Sequence, residues 1–314
     1  MLDKIKDDLK YKIRIHNEKK HYSKLLKQQE SSDTIQKIEP NIDAFTYAYK
    51  LYHPYLLEKM PRYYYKELVE QKIEESNEKI NIISLGSGTG AWEVKLVEDF
   101  PEMISMELVD INDDLLKISK NYASKNNLDI STTFADINKI KLENNKYDVV
   151  IVQSSLHHFL ELEHIFEQIN ESLKDNGNLL VIGEVIGRNG EQIFPETEKI
   201  VQQIFSTLPE KFRYNAYTKK IDDKIPEIDF SKDSFESIRS EDIVPLLSQY
   251  FQVVEQVSFD AFLSLLLDFR YGPNYDLEQK LDKSLVETIT YLDQYYISNS
   301  ILKPVCLFGI YSKK

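Results

Sequence analysis

The chain has 314 residues, 42% of them hydrophobic and 29% charged, and a formal net charge of −13. That length and mixture suit a soluble globular protein with a sizeable core, while the acidic field repels phosphate backbones and argues against a nucleic-acid partner. A lone cysteine, Cys306, excludes an intrachain disulfide, no apolar run is long enough for membrane insertion, and the charged N-terminus lacks a signal-peptide core, so a cytoplasmic setting is expected.

Residues 1–40, rich in Lys, Gln, Glu and Ser, read as a solvated helix or arm. Residues 43–60 are dense in aromatics, with Pro54 placed to break or start a helix. A helix is expected over 63–75. From Lys79 the pattern alternates: strands at 80–85, 105–110, 131–135, 147–153 and 178–185, with amphipathic helices at 93–99, 113–126 and 161–173 between them. Such alternation means βαβ units and a parallel sheet. After Gly187 the rhythm breaks into a helix at 196–208, a polar loop over 215–234 and a helix at 240–250. A strand (251–259), two helices (261–269, 281–296) and a last strand (303–312) complete the chain.

The most informative segment is Ser84-Leu85-Gly86-Ser87-Gly88-Thr89-Gly90-Ala91. A strand, a tight glycine turn and a helix start bring bare backbone N–H groups and a positive helix end to a ligand. Gly86-x-Gly88-x-x-Ala91 satisfies the dinucleotide pattern, and Gly86-x-Gly88-x-Gly90 fits a sulfonium nucleoside loop as well. The second strand ends at Asp110-Ile111, where a carboxylate accepts from ribose hydroxyls with either cofactor. The third ends at Asp136-Ile137, placed to read an adenine amino group and ring nitrogen. The fourth ends at Gln153 and runs on to Leu156-His157-His158, beside the ligand edge of an open α/β sheet.

This ordered set over 79–187 resembles the class I S-adenosylmethionine-dependent methyltransferases: the glycine loop, Asp-Ile-Asn, Ala-Asp-Ile-Asn, Tyr-Asp-Val-Val, Leu-His-His and a fifth strand ending in Gly183-Glu184. Weaker similarity, in Leu208–Arg213 and Glu236–Ile243, extends to a bacterial subgroup associated with surface-glycan and secondary-metabolite pathways. The resemblance implies a Rossmann-like seven-stranded, mostly parallel sheet with helices on both faces and an antiparallel final strand. The expected organisation is an N-terminal helical cap (1–78), the cofactor-binding core (79–187), an insertion or substrate lid (188–250) and a C-terminal part completing the sheet (251–314).

The expected reaction is methyl transfer to an O or N of a small-molecule or glycan-precursor acceptor, leaving S-adenosylhomocysteine. Gly86, Ser87, Gly88 and Gly90 would approach the methionine part of the cofactor, Asp110 and Ile111 the ribose, Asp136 and Ile137 the adenine, and Gln153 would line the site through its backbone. His158, or else His157, is the expected base, because imidazole titrates near neutrality, and Glu184 would orient substrate or a histidine. No metal ligands are expected. The aromatic set around Phe45, Tyr49 and Tyr52 could cap a sulfonium, and Arg188, Arg213, Arg239 and Arg270 suit an anionic acceptor. The competing expectations are an NAD-dependent oxidoreductase and a non-catalytic cofactor-binding scaffold.

Overall fold

The structure, a computed structural model, describes residues 10–17, 19–20, 43–62, 65–76, 78–232 and 234–314. One seven-stranded sheet organises them, in the order β3-β2-β1-β4-β5-β9-β8. Its strands are β1 (Ile80–Leu85), β2 (Ile104–Asp110), β3 (Ile130–Phe134), β4 (Tyr147–Gln153), β5 (Leu173–Val185), β8 (Phe251–Phe259) and β9 (Cys306–Lys313). The pairs among β1 to β5 are parallel, and β9 runs antiparallel to both β5 and β8. A Rossmann-like sheet with an antiparallel final strand is therefore present, as the family resemblance implied.

Period-two alternation sends successive side chains to opposite faces. In β1, Ile80 and Ile82 enter one core and Ile83 and Leu85 the other; in β4, Val149 and Ile151 are separated in the same way from Val150 and Val152. Helices cover both cores, so the strands read as near-continuous apolar runs. Described in the first half are α1 (helical at 10–17), α2 (Ala44–Lys59), α3 (Lys66–Glu75), α4 (Ala91–Asp99), α5 (Asp113–Asn126) and α6 (Leu162–Ser172). They are followed by α7 (Pro195–Thr207), α8 (Glu210–Arg213), α9 (Ser240–Tyr250), α10 (Leu263–Leu267) and α11 (Lys280–Ser298).

Three local expectations change. Pro54 neither starts nor ends a helix, since α2 runs through it; packing of α2 on α11 and α10 outweighs the lost N–H. The polar loop over 215–234 contains a small hairpin, β6 (Tyr214–Asn215) with β7 (Lys220–Ile221), and Gln202 of α7 pins it by exchanging two hydrogen bonds with the Ile225 backbone at 2.9 and 3.0 Å. The helix expected over 261–269 shortens to α10, whose Ser264 N–H is capped by the Asp260 carboxylate at 3.2 Å.

Between β1 and β4 the strand order reverses. Loops at the carboxyl ends of neighbouring strands diverge at such a point and leave a crevice. The glycine turn, the β2 end and the β4 end all open into it.

Candidate active site

β1 delivers the chain into Gly86, Gly88 and Gly90, all at positive φ (70°, 57° and 57°). The three have different tasks. A Cβ on Gly86 would lie 2.8 Å from Ser155 Cβ, and one on Gly90 would lie 2.6 Å from Leu108 Cδ1. These two glycines permit close packing inside the protein. A Cβ on Gly88 would meet only Leu115 Cδ1, at 4.0 Å, so the space over Gly88 is left to a ligand.

Asp110 fastens this turn. Its carboxylate accepts from Gly88 N–H at 2.8 Å and from Asn112 N–H at 2.7 Å. Burial raises its pKa from the ordinary carboxylate range, and the backbone donors oppose that shift. Gly86, Ser87, Gly88, Asp110, Ile111 and Asn112 surround a cleft of about 620 Å³, together with Ser154 and His158 from beyond β4. Among the described residues, Ser87 Oγ and Asn112 Nδ2 in this lining are buried without a hydrogen-bond partner. Unmet polar atoms beside an acidic acceptor and an open glycine suit a polar nucleoside bearing an amino acid.

Asp136 lies in an adjoining hollow, which shares Ile111 and Ile137 with the cleft. Its carboxylate takes the Tyr11 hydroxyl of α1 and Asn138 N–H, the latter at 3.1 Å. Gln153 is exposed and lies outside the cleft lining, where Ser154 and Ser155 stand instead. Ser154 sits at φ 44° and its hydroxyl donates to the Gly183 carbonyl at 2.9 Å. A β-carbon residue in the left-handed region at a cleft is stored strain.

The histidines follow on a 3₁₀ turn, Leu156–His158. A bulge in β5 places Glu184 beneath that turn. Val181 faces Gly309 and Glu184 faces Leu307, one extra residue on β5, with Gly183 at φ 60°. Glu184 is fully buried and accepts from the N–H groups of Ser155, Leu156 and His157 at 3.1, 2.9 and 3.0 Å. Its Oε1 is also 2.5 Å from His157 Nδ1. Glu184 therefore holds His157 and the Ser155–His157 backbone, and does not itself line the cleft.

His157 Nε2 turns to Glu236 Oε1 at 3.2 Å, and His158 Nε2 stands 3.7 Å from Glu236 Oε2. Burial disfavours the His157 imidazolium, but Glu184 and Glu236 outweigh it and push the pKa up to about 10. His157 is thereby held as a cation, whereas His158 lines the cleft. Glu236 hydrogen-bonds in turn to Glu191, whose carboxyl is pushed up by burial and by that neighbouring charge.

Glu191 lines a second cavity of about 780 Å³. Phe45, Ile193, Phe194, Leu265 and Val305 make it largely apolar, and Arg188, Glu191 and Asp260 supply charge. Glu191 and Asp260 are again at positive φ, 57° and 59°. The series His158–Glu236–Glu191 thus bridges the two cavities.

The other candidates lie elsewhere. Of the aromatic helix, Phe45 alone among the described lining residues borders a cavity, and it is the second one. Tyr52 is fully buried and donates to Asp293. Arg239 grips Glu163 with two 2.7 Å contacts and fixes the 236–239 segment to α6. Arg213 donates to the Leu208 and Asp222 carbonyls, and Arg270 to Asp268. Sequence reasoning missed Tyr11, Asn112, Glu191 and Glu236 as site residues; Asn112 closes the Asp-Ile-Asn motif and Glu236 opens the Glu236–Ile243 similarity, but no local motif marks Tyr11 or Glu191.

Residues 76–242 match the family model described as a methyltransferase domain. Over 109 residues the chain is 29% identical to malonyl-acyl-carrier-protein O-methyltransferase 2 of Ilyobacter polytropus, an alignment covering 34% of this chain and 40% of that relative's length. A solved protein of Pyrococcus horikoshii OT3 is similar at 15% identity, over 92% of this chain and 99% of the other, with TM-score 0.44. The phosphoethanolamine N-methyltransferase 2 of Haemonchus contortus, solved with S-adenosyl-L-methionine, is similar at 14% identity over 90% of this chain and 60% of the other, with TM-score 0.45.

Proposed function

The chain belongs to the methyltransferase-domain family, whose cofactor is S-adenosylmethionine, and on that premise we propose that it methylates an oxygen or nitrogen of a small-molecule acceptor. The observation that carries the reading is the pairing of two cavities. The glycine cleft suits the cofactor, and the apolar cavity joined to it through His158, Glu236 and Glu191 suits an acceptor. The name of the Ilyobacter relative specifies O-methyl transfer, which favours oxygen here.

When bound, the cofactor supplies an activated methyl carbon, so the protein's tasks are alignment, exclusion of water and removal of a proton. Asp110 holds the ribose, and Gly88 admits the methionine part. Ser87 Oγ and Asn112 Nδ2 are the unmet polar atoms that such a ligand satisfies. Asp136 and Ile137 take the adenine. His158 is the base, and the Glu184–His157 pair acts through it as a positioning unit. Arg188, together with an apolar wall, favours an acceptor with an apolar body and an anionic or polar end over a bare glycan precursor. The net charge of −13 disfavours a nucleic-acid acceptor. Among the described residues no helix is long and apolar enough to cross a membrane.

Titration calorimetry with S-adenosylhomocysteine tests the cofactor assignment. Loss of its two new charge-assisted contacts makes Asp110→Ala bind more weakly by roughly ten-fold or more. Unchanged affinity would overturn the assignment, and a melting temperature raised by NADH instead would favour an oxidoreductase.

A further inference from the structure

We propose that His157, His158 and Glu236 form a binding site for a divalent transition-metal ion of the zinc class, at the junction of the two cavities. Nothing in the sequence pattern points to it, because Glu236 lies far along the chain from the histidine pair.

The geometry is that of a prepared site. The candidate ligand atoms of the three residues all lie within 4.8 Å of one another. The two imidazoles are adjacent, with ring centroids 4.3 Å apart, and their Nε2 atoms converge on the two oxygens of one carboxylate at 3.2 and 3.7 Å. His157 Nδ1 is held by Glu184 Oε1 at 2.5 Å. A carboxylate on the far ring nitrogen fixes the tautomer and aims the other nitrogen at a metal. Imidazole and carboxylate are the ligand types zinc-class ions take, and three protein ligands with one position left over mark a reactive site rather than a structural one.

The segment carrying Glu236 is itself anchored. Ile238 N–H donates to the His157 carbonyl at 3.0 Å, and Arg239 is clamped to Glu163. Ser237, between Glu236 and those two anchors, adopts φ 49°, a strained conformation. Two carboxylates, Glu184 and Glu236, face the two imidazoles, a donor set that suits a divalent cation.

The use of the ion rests on the methyltransferase reading; its binding does not. With the ion bound, His158 is a ligand and no longer the base; next to a cavity lined by Glu191, the ion would itself hold an acceptor's hydroxyl or carboxylate oxygen at the cofactor and favour its deprotonated form.

The test is titration of the full chain, dialysed against chelator, with Co²⁺ followed by its visible ligand-field spectrum. One equivalent is expected to bind. His158→Ala and Glu236→Gln should each weaken binding at least ten-fold, and Glu184→Gln by roughly ten-fold through loss of the orienting carboxylate. His164→Ala is the control, because His164 hydrogen-bonds the Ile140 carbonyl away from the cluster. Circular dichroism verifies that each variant is folded. No spectrum at millimolar Co²⁺, or equal affinity in wild type, His158→Ala and Glu236→Gln, overturns the proposal. A parallel S-adenosylhomocysteine titration separates the two readings: Co²⁺ binding without nucleoside binding leaves the metal site standing and removes the methyltransferase assignment.

Discussion

The Tyr11 hydroxyl stands 2.8 Å from both carboxylate oxygens of Asp136. The two residues are 125 positions apart, and the contact lays α1 across the hollow assigned to adenine. Burial and the Asp136 carboxylate raise the phenol's pKa well above its usual value, so the proton stays on Tyr11. The ring also packs edge-on against Phe235 at 5.5 Å, and Arg14 donates to the Ser231 carbonyl at 2.9 Å. α1 and the segment before Glu236 therefore close together over the site.

An adenine amino group needs the oxygens that Tyr11 already occupies. Tyr11→Phe removes the competitor, and a net hydrogen bond of about 1 kcal/mol becomes available to the ligand. S-adenosylhomocysteine should then bind roughly five-fold more tightly by calorimetry. Weaker binding would show instead that the phenol is part of the nucleoside site.

The glycine loop offers a paired comparison. Gly90→Ala places a methyl 2.6 Å from Leu108 Cδ1 at φ 57°, and overpacking plus backbone strain should cost about 2–4 kcal/mol of stability. Gly88→Ala meets only Leu115 Cδ1 at 4.0 Å, so the left-handed backbone alone costs about 1–2 kcal/mol. Chemical denaturation should rank the two in that order. Nucleoside binding by the folded Gly88→Ala protein should still be lost, since its methyl occupies cleft space; retained affinity would place the ligand elsewhere.

Stability should fall as pH rises toward neutrality. Burial and the charge of Asp293 push the Asp260 carboxyl up to about 7, and burial pushes Asp293 up to about 6. An unfolded aspartate titrates near ~3.9. Both folded values are raised, so folding favours the protonated form. That stabilisation is complete below about pH 4 and is lost as pH rises through about 6 to 7. Asp293→Asn keeps an oxygen for the Ala261 and Phe262 N–H groups, bonded at 3.0 and 2.7 Å, and an amide N–H for Tyr52. It should raise the melting temperature at pH 8 and flatten the melting profile between pH 5 and 8. An unaltered profile would assign the pH dependence to other groups.

The β1-to-α6 alternation was legible because a strand or helix records its own period within a few residues. Asp113–Asn126, Tyr147–Gln153 and Ser240–Tyr250 are found where the pattern placed them. Pro54 was misleading for the converse reason: a proline's local cost was outweighed by packing against α11, which lies more than 200 residues away.

What the sequence by itself determined is the sheet's alternating units, the glycine turn, and Asp110 at the end of its neighbouring strand. Each is a short-range signal, since the bonds that fix it lie within one βαβ unit. Only the tertiary structure decided that Gly86 and Gly90 serve internal packing while Gly88 opens to a ligand. It alone turned Glu184 beneath the histidine turn through the Gly183 bulge, and brought Tyr11, Glu236 and Glu191 to the hollow, the junction and the second cavity around the glycine cleft. Those relations depend on strand order and on where the 188–250 segment returns across the sheet. No local preference encodes such a return; the packing of both faces of the sheet does.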